Sequence, residues 1–457
     1  MRLKNLIERR ALLTSALLLA FGVGLVSAPV SASPAWASPA WATPQEEEEE
    51  DEPTWLALTG GDVHTGTGAV LRGATVLCKD EKIHRIGYDL DLPDDAEVMD
   101  VTGYRLYPGL VAPASFGLFG GGGDLKDSVD PYNRNMLLAL AAGITTAVNG
   151  NQVAKLKRGH IEGVVISNGA FQSFSYDKRN PSGKLQLREN FEKAAAYLRA
   201  YRQWEVDVRS DKDLKEPSKR GVDANCLSVL EGRVLATFSE DDRTDLLEIA
   251  RLAQRFGFRP VIRGCREGWT VADELGRAGA MAILTARDRR PRSDTLVRDG
   301  GSSIENAAIL HRHGVQVAIT PASPGISLGG IVGRDLLHLP TEAAFAVRGG
   351  LPEAAALDGI TVVPARILGI DWRVGTLEEG KDADIIVTDG DILHYATWVQ
   401  WSIVDGEVVY DKQEEMYFAH IRPRPEAALA PESKVDPGEE NPVEVTEEEE
   451  SSEGDGN

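Results

Sequence analysis

The chain has 457 residues and 42% apolar content, enough for a large folded body with a real core and too apolar for a disordered protein. Its formal charge of −22 sits mainly at two places: residues 45–52 carry −7 and residues 425–457 carry −11, which with +3 in residues 1–44 leaves −7 for residues 53–424. Nothing in that mildly acidic body points to nucleic acid as a partner, and both acidic runs, lacking aromatics, read as solvated flanks.

In chain order, Arg2, Lys4, Arg9 and Arg10 precede the apolar run "ALLTSALLLAFGVGLV" and a stretch of small residues, the pattern of an export signal. The Arg9-Arg10 pair also resembles a twin-arginine signal. The expected location is periplasmic or secreted, by the Sec or twin-arginine route. The run is too short and too rich in Ala and Gly to predict a stable membrane span after signal cleavage, with an uncleaved anchor as the alternative. Residues 1–42 are read as signal peptide and small-residue linker, and 43–53 as an acidic linker.

From residue 54 the pattern is short alternating strands with Gly, Asp and Asn at the turns. The same texture returns late, where Asp405-Gly406 signals a hairpin. Neither end has a partner sheet of its own, so 54–107 and 371–420 are expected to combine into one small β-sandwich. Between them, over 108–370, short apolar runs alternate with amphipathic helices. "NRNMLLALAAGI" reads as a helix with Asp130 as its N-cap. "SEDDRTDLLEIARLAQRFG" reads as a helix capped by Ser239, with Asp242 completing a capping-box-like start and Gly257 closing it. Strand followed by helix over about 260 residues predicts an α/β fold, a (β/α)8 TIM-like barrel inserted into the sandwich, with a doubly wound sheet as the alternative. Residues 421–457 form an acidic tail. Cys78, Cys226 and Cys265 are odd in number and widely spaced, so buried free thiols are expected rather than a disulfide framework or a zinc cluster.

Four stretches carry a family resemblance: "LYPGLV" at 106–111, "LALAAGITTAVNG" at 138–150, "GITVVPARILGIDWRVGTLEEGKDADIIVTDGD" at 359–391 and "VDGEVVYD" at 404–411. On these the chain resembles the amidohydrolase superfamily, in particular its imidazolonepropionase-like members, over about 54–412. The resemblance implies hydrolysis of non-peptide C–N bonds, such as those of cyclic amides, by a metal-activated water at the carboxyl ends of the barrel strands. It also implies histidines from strands one, five and six and an aspartate from strand eight as ligands.

The matching positions depart from that pattern. In "PGLVAPASF", Ala112 stands at the Asp place, Ala114 at the first His place and Phe116 at the second. The strand-five segment "RPVIRGCREGW" offers Arg263 and Arg266, the strand-six segment "MAILTARDRRPR" has no histidine, and "VAITPASPG" puts Ala322 at the strand-eight aspartate place. Methyl, phenyl and guanidinium groups have no lone pair for a metal. No metal ligand and no catalytic residue is therefore assigned, and no cofactor is expected; one divalent metal (Zn, Fe or Mn) is the alternative.

Other histidines do not rebuild the set. His311 and His313 stand two apart at a helix end, on different faces. His338 is the candidate that faces the mouth, while His64, His84, His160, His394 and His420 read as ordinary polar positions. Asp124 and Asp127 read as loop charges. What remains near the strand ends is basic: Arg263, Arg266, Arg287, Arg289, Arg290 and Arg292. With His338, the first three form a candidate ligand-binding set for a small-molecule anion, since guanidinium forks suit carboxylate or phosphate. Cys265 lies among them, a setting that favours thiolate. The reading is a non-catalytic binding or structural protein on a hydrolase fold. Its alternatives are an active C–N hydrolase with a non-standard site, and a scaffold whose acidic tail recruits a partner.

Overall fold

The structure, a computed structural model, describes residues 53–121, 123–169, 171–289, 300–327 and 333–415. The expected export segment, the acidic tail, Arg290, Arg292 and His420 lie outside these residues.

The first strands are β1 (Trp55–His64), β2 (Val70–Lys79), β3 (Lys82–Gly87), β4 (Glu97–Asp100) and β5 (Arg105–Pro108). The body that follows contains β6 (Leu110–Ser115), α1 (Leu125–Ser128), α2 (Arg134–Ala141), β7 (Ile144–Asn149), β8 (Gln152–Lys155), β9 (Val165–Asn168) and β10 (Phe171–Phe174). Next come α3 (Pro181–Asp207), α4 (Ala224–Leu230), β11 (Leu235–Glu240), α5 (Arg243–Phe256), β12 (Pro260–Gly264), α6 (Ala272–Arg277) and β13 (Met281–Leu284). It ends with α7 (Asn306–Arg312), β14 (Gln316–Ile319), α8 (Leu339–Arg348), α9 (Glu353–Asp358) and α10 (Val362–Leu368). The last strands are β15 (Ile385–Thr388), β16 (Val399–Val404) and β17 (Glu407–Asp411).

The chain ends do combine, but into one sheet. Its order is β17-β16-β15-β5-β1-β2-β3, with β4 also on β1. Strand β5 pairs antiparallel with β15, from Ile385 opposite Pro108 to Thr388 opposite Arg105, and so joins both ends in a single ladder. The expected sandwich is not seen as two separate sheets among the described residues. Leu58, Val76, Leu106, Ile385 and Ile403 form the core of this sheet.

The middle of the chain is α/β, as the alternation predicts. Strands β10 to β14 form a parallel five-stranded sheet, and β6 to β9 a four-stranded one in which only β6 and β7 are parallel. Among the described residues the expected barrel is thus two sheets without a continuous hydrogen-bonded ring. At one gap, residues 359–360 act as a lace: Ile319 donates its N–H to the Gly359 carbonyl at 2.8 Å, and Val111 donates to Ile360 at 2.9 Å. Strands β13 and β14 are direct neighbours, Met281 opposite Gln316, so the segments assigned to strands six and eight have no strand between them.

The inner strands β12 to β14 bury both faces over most of their length, which explains their near-continuous apolar runs. Phe238, Ile262, Leu284 and Ile319 face the helices, packing with Phe191, Ile249, Leu275 and Leu310. Val261, Met281, Ile283 and Ala318 pack on the other side with Val362, Val363 and Ile367 of α10.

Two expected caps move. The N-cap of α5 is Asp242, whose carboxylate accepts from the Thr244 N–H at 2.9 Å, because the chain is still in β11 at Ser239. The N-cap of α2 is Asn133, which accepts from the Asn135 N–H at 2.9 Å; Asp130 accepts instead from the Tyr132 N–H at 3.0 Å, one turn earlier. Gly257 closes α5 in the left-handed region, at φ 75°.

One buried polar node ties the terminal sheet to β8. The Lys155 ammonium is wholly buried and meets Asp382 at 2.6 Å, Asp384 at 2.9 Å and Asp405. Asp382 is shared with Lys82 and with Arg373 at 2.7 Å.

Candidate active site

In a β/α body the carboxyl ends of the parallel strands present functional groups. Here those ends are Ser115 of β6, Asn149 of β7, Phe174 of β10, Glu240 of β11, Gly264 of β12, Leu284 of β13 and Ile319 of β14.

The strand-one end and the strand-eight loop meet as the resemblance implies. Phe116 donates its N–H to the Pro324 carbonyl at 2.9 Å, and Ser115 donates its hydroxyl to the Val148 carbonyl at 2.5 Å. Phe116 is 75% exposed, so its ring stands in solvent. Ala322 is exposed and Ala114 half-buried. Beyond Phe116 the loop needs its glycines. A Cβ on Gly120, at φ 83°, would come 2.7 Å from Asp130 Cβ, and one on Gly121 would come 2.3 Å from the Ser128 carbonyl oxygen. The result is a cavity of about 570 Å³ lined by Phe116, Gly117, Gly120, Asn149 and Asn151. No group of three or more His, Cys, Asp or Glu side chains among the described residues is placed to hold a metal.

The four residues expected to hold an anion are not equivalent. Arg266 is held by Asp241 at 2.8 Å and by Asp288. Arg287 donates from Nε to Glu342 at 2.8 Å and from its backbone N–H to the same carboxylate at 2.6 Å, with its guanidinium 4.6 Å from the Phe345 ring centre. His338 Nδ1 meets Asp335 at 2.9 Å and lines a different cavity, of about 330 Å³, with Leu337, His394 and Trp398. Each of these three meets a carboxylate of the protein itself, and the cavity beside His338 is not lined by Arg263, Arg266 or Arg287. Arg263 differs. Its guanidinium lies 5.0 Å from the Phe171 ring centre, and burial pulls its pKa down from the usual guanidinium value.

Cys265 is fully buried, and burial, helped by Asp241, pushes its thiol up to about 12. The expected thiolate is therefore not favoured, because desolvation dominates and the neighbouring Asp241 adds to it. All three cysteines are free and buried, as expected. His311 and His313 lie exposed at the end of α7.

One titratable group was missed. Glu240, at the end of β11, has its carboxyl raised to about 7, first by burial and then by Asp245, Asp177 and Asp241. Lys184, which opposes this, is spent on Asp245 and Glu248 at 2.6 Å each. The acidic run "SEDD" was the available signal, and reading it as a helix cap concealed it. No helix among the described residues is long and apolar enough to cross a membrane.

Comparison with known proteins follows the same frame. The sequence model described as "Amidohydrolase family" matches residues 247–414. Amidohydrolase tasK of Hapsidospora irregularis is 34% identical over 108 residues, which is 24% of this chain and only 11% of that protein's length. Imidazolonepropionase of Pseudomonas aeruginosa (strain UCBPP-PA14) is 25% identical over 390 residues, spanning 73% of this chain and 92% of that protein. The crystal structure of an amidohydrolase from Thermotoga maritima MSB8 superposes with a TM-score of 0.58 at 25% identity, covering 78% of this chain and all of that one. With the family's sequence model matched over residues 247–414 and a similar backbone frame beneath it, the chain is similar to the amidohydrolase superfamily in both sequence and fold.

Proposed function

We propose that this is an exported amidohydrolase-superfamily protein that binds a ligand at its strand ends without metal-dependent hydrolysis. The carrying observation is the chemistry of the ligand positions: Ala114, Phe116 and Ala322 offer only carbon, and Arg263 offers a cation. A divalent ion needs lone pairs at about 2 Å, so these side chains do not fit a metal of the implied kind. The two inner sheets, laced through residues 359–360, represent a (β/α)8 barrel, and the joint terminal sheet stands in the place of the sandwich. The acidic flanks at 45–52 and 425–457 act as solubilising segments outside the cell's interior. Elemental analysis of the purified full-length protein tests this reading: no stoichiometric Zn, Fe or Mn is expected, and one tightly held ion per chain overturns it.

Glu240 favours a second reading, an active hydrolase of non-peptide C–N bonds. A carboxyl near 7 at a strand end is matched to general acid–base work near neutral pH. That reading requires turnover of a cyclic amide that is lost in Glu240→Gln and insensitive to chelators.

A further inference from the structure

The register of the parallel sheet sorts its side chains by face. Ser173 pairs with Thr237 and Thr237 with Val261; one step along, Ser239 pairs with Arg263 and Arg263 with Ile283. Paired residues of neighbouring strands share a face. Arg263 therefore lies on the face of Val261 and Ile283, which packs on α10 and is opposite the face packed on Phe191, Ile249, Leu275 and Leu310, with Ser239 beside it. Ser173 and Ser239 are exposed, so solvent reaches this wall. Among the strand residues paired across this sheet, the charged ones are Arg263, on this face, and Glu240, one residue beyond Ser239 and so on the other face.

A guanidinium cannot shed its proton to escape desolvation, unlike a lysine or histidine. Partly buried arginines are accordingly paired, as Arg266 and Arg287 are here. Among the described residues Arg263 has only the Phe171 ring as a partner. That ring covers one flat side and leaves the N–H edges free. The geometry points to Arg263 as the anchor of a binding site for a small monocarboxylate, gripped at the guanidinium edge, with the Ser239 hydroxyl next to it. This rests on the reading of the strand ends as a binding rather than a metal-hydrolytic surface. A monocarboxylate is favoured over a phosphate dianion because, among the described residues, Arg263 is the one cation in these strand rows, and Arg266 and Arg287 are already matched by Asp241, Asp288 and Glu342.

The test is thermal unfolding and calorimetric titration of the full-length protein with benzoate, its neutral isostere benzamide, and inorganic phosphate. Benzoate is expected to raise Tm saturably, and benzamide and phosphate to leave it unchanged. Arg263→Gln should lose on the order of 10- to 100-fold in benzoate affinity, the range for a hydrogen-bonded ion pair, while Arg263→Lys should keep part of it. In the absence of any anion, Arg263→Met should unfold at or above the wild-type Tm, because it removes an unpaired charge. A benzoate shift that survives in Arg263→Gln, an equal phosphate shift, no benzoate shift, or a clearly lowered Tm in Arg263→Met overturns the assignment. Metal content separates the two claims. Bound stoichiometric metal with Arg263-dependent benzoate binding sinks the non-hydrolytic reading alone. A metal-free protein that ignores benzoate sinks the carboxylate site alone.

Discussion

At the residue scale, environment decides charge. Glu240 is raised to about 7 by burial and three neighbouring carboxylates. A carboxyl raised in the folded state contributes stability that is present below its unfolded pKa, about 4.3, and is lost as pH rises through 7. Glu240→Gln should therefore match the wild type at pH 4 and exceed it at pH 8 by about 1–2 kcal/mol, after discounting for partial exposure. Urea unfolding at the two pH values checks this, and equal differences at both would contradict it. The emptied ligand positions at Ala114, Phe116 and Ala322 were legible in the sequence because a motif fixes them locally. The fate of the arginines was not, because Arg266 finds partners 25 and 22 residues away and Arg287 finds Glu342 at a separation of 55. Pairing at such distances is a property of the fold, which is why one of the four expected anion binders differs from the other three.

At the element scale, the periodicity located most helices and strands, while local polar competition misled their ends. Ser239 and Asp242 both suit an N-cap. The pairing of β11 with β12 continues through Ser239 and Glu240, and this holds the backbone extended until Asp242 can cap. The C-terminal signal was sharper, since Gly257 alone in that turn can adopt φ 75° without strain. A side chain there meets no atom within 4 Å, so Gly257→Ala isolates the backbone term. A loss of about 1 kcal/mol is expected from the left-handed penalty, read as a lower urea midpoint at unchanged slope. The sandwich was over-read for a related reason. Alternation shows that a strand has two unlike faces but not which strand lies beside it, and β5 took places next to both β1 and β15.

At the scale of the whole molecule, the terminal sheet and the α/β body are held together through Lys155. Its burial opposes the charge, but Asp384, Asp405 and Asp382 more than compensate and hold the ammonium protonated. Lys155→Met would leave the buried Asp384 without a cation beside Asp382 and Asp405, which keep Arg373 and Lys157, at a cost of about 3–5 kcal/mol. The variant is expected to lose most of its cooperative unfolding transition at pH 7 and regain part of it near pH 4; full stability at pH 7 would show the node to be dispensable. The same sheet also imposes an order on biosynthesis. Because β5 is flanked by β1 and by β15, which lies about 280 residues downstream, a nascent chain leaves one side of β5 bare until residues 385–388 emerge. During that interval the bare ladder is a template for foreign strands, so for this protein translation speed and chaperone cover of residues 105–108 bear directly on yield.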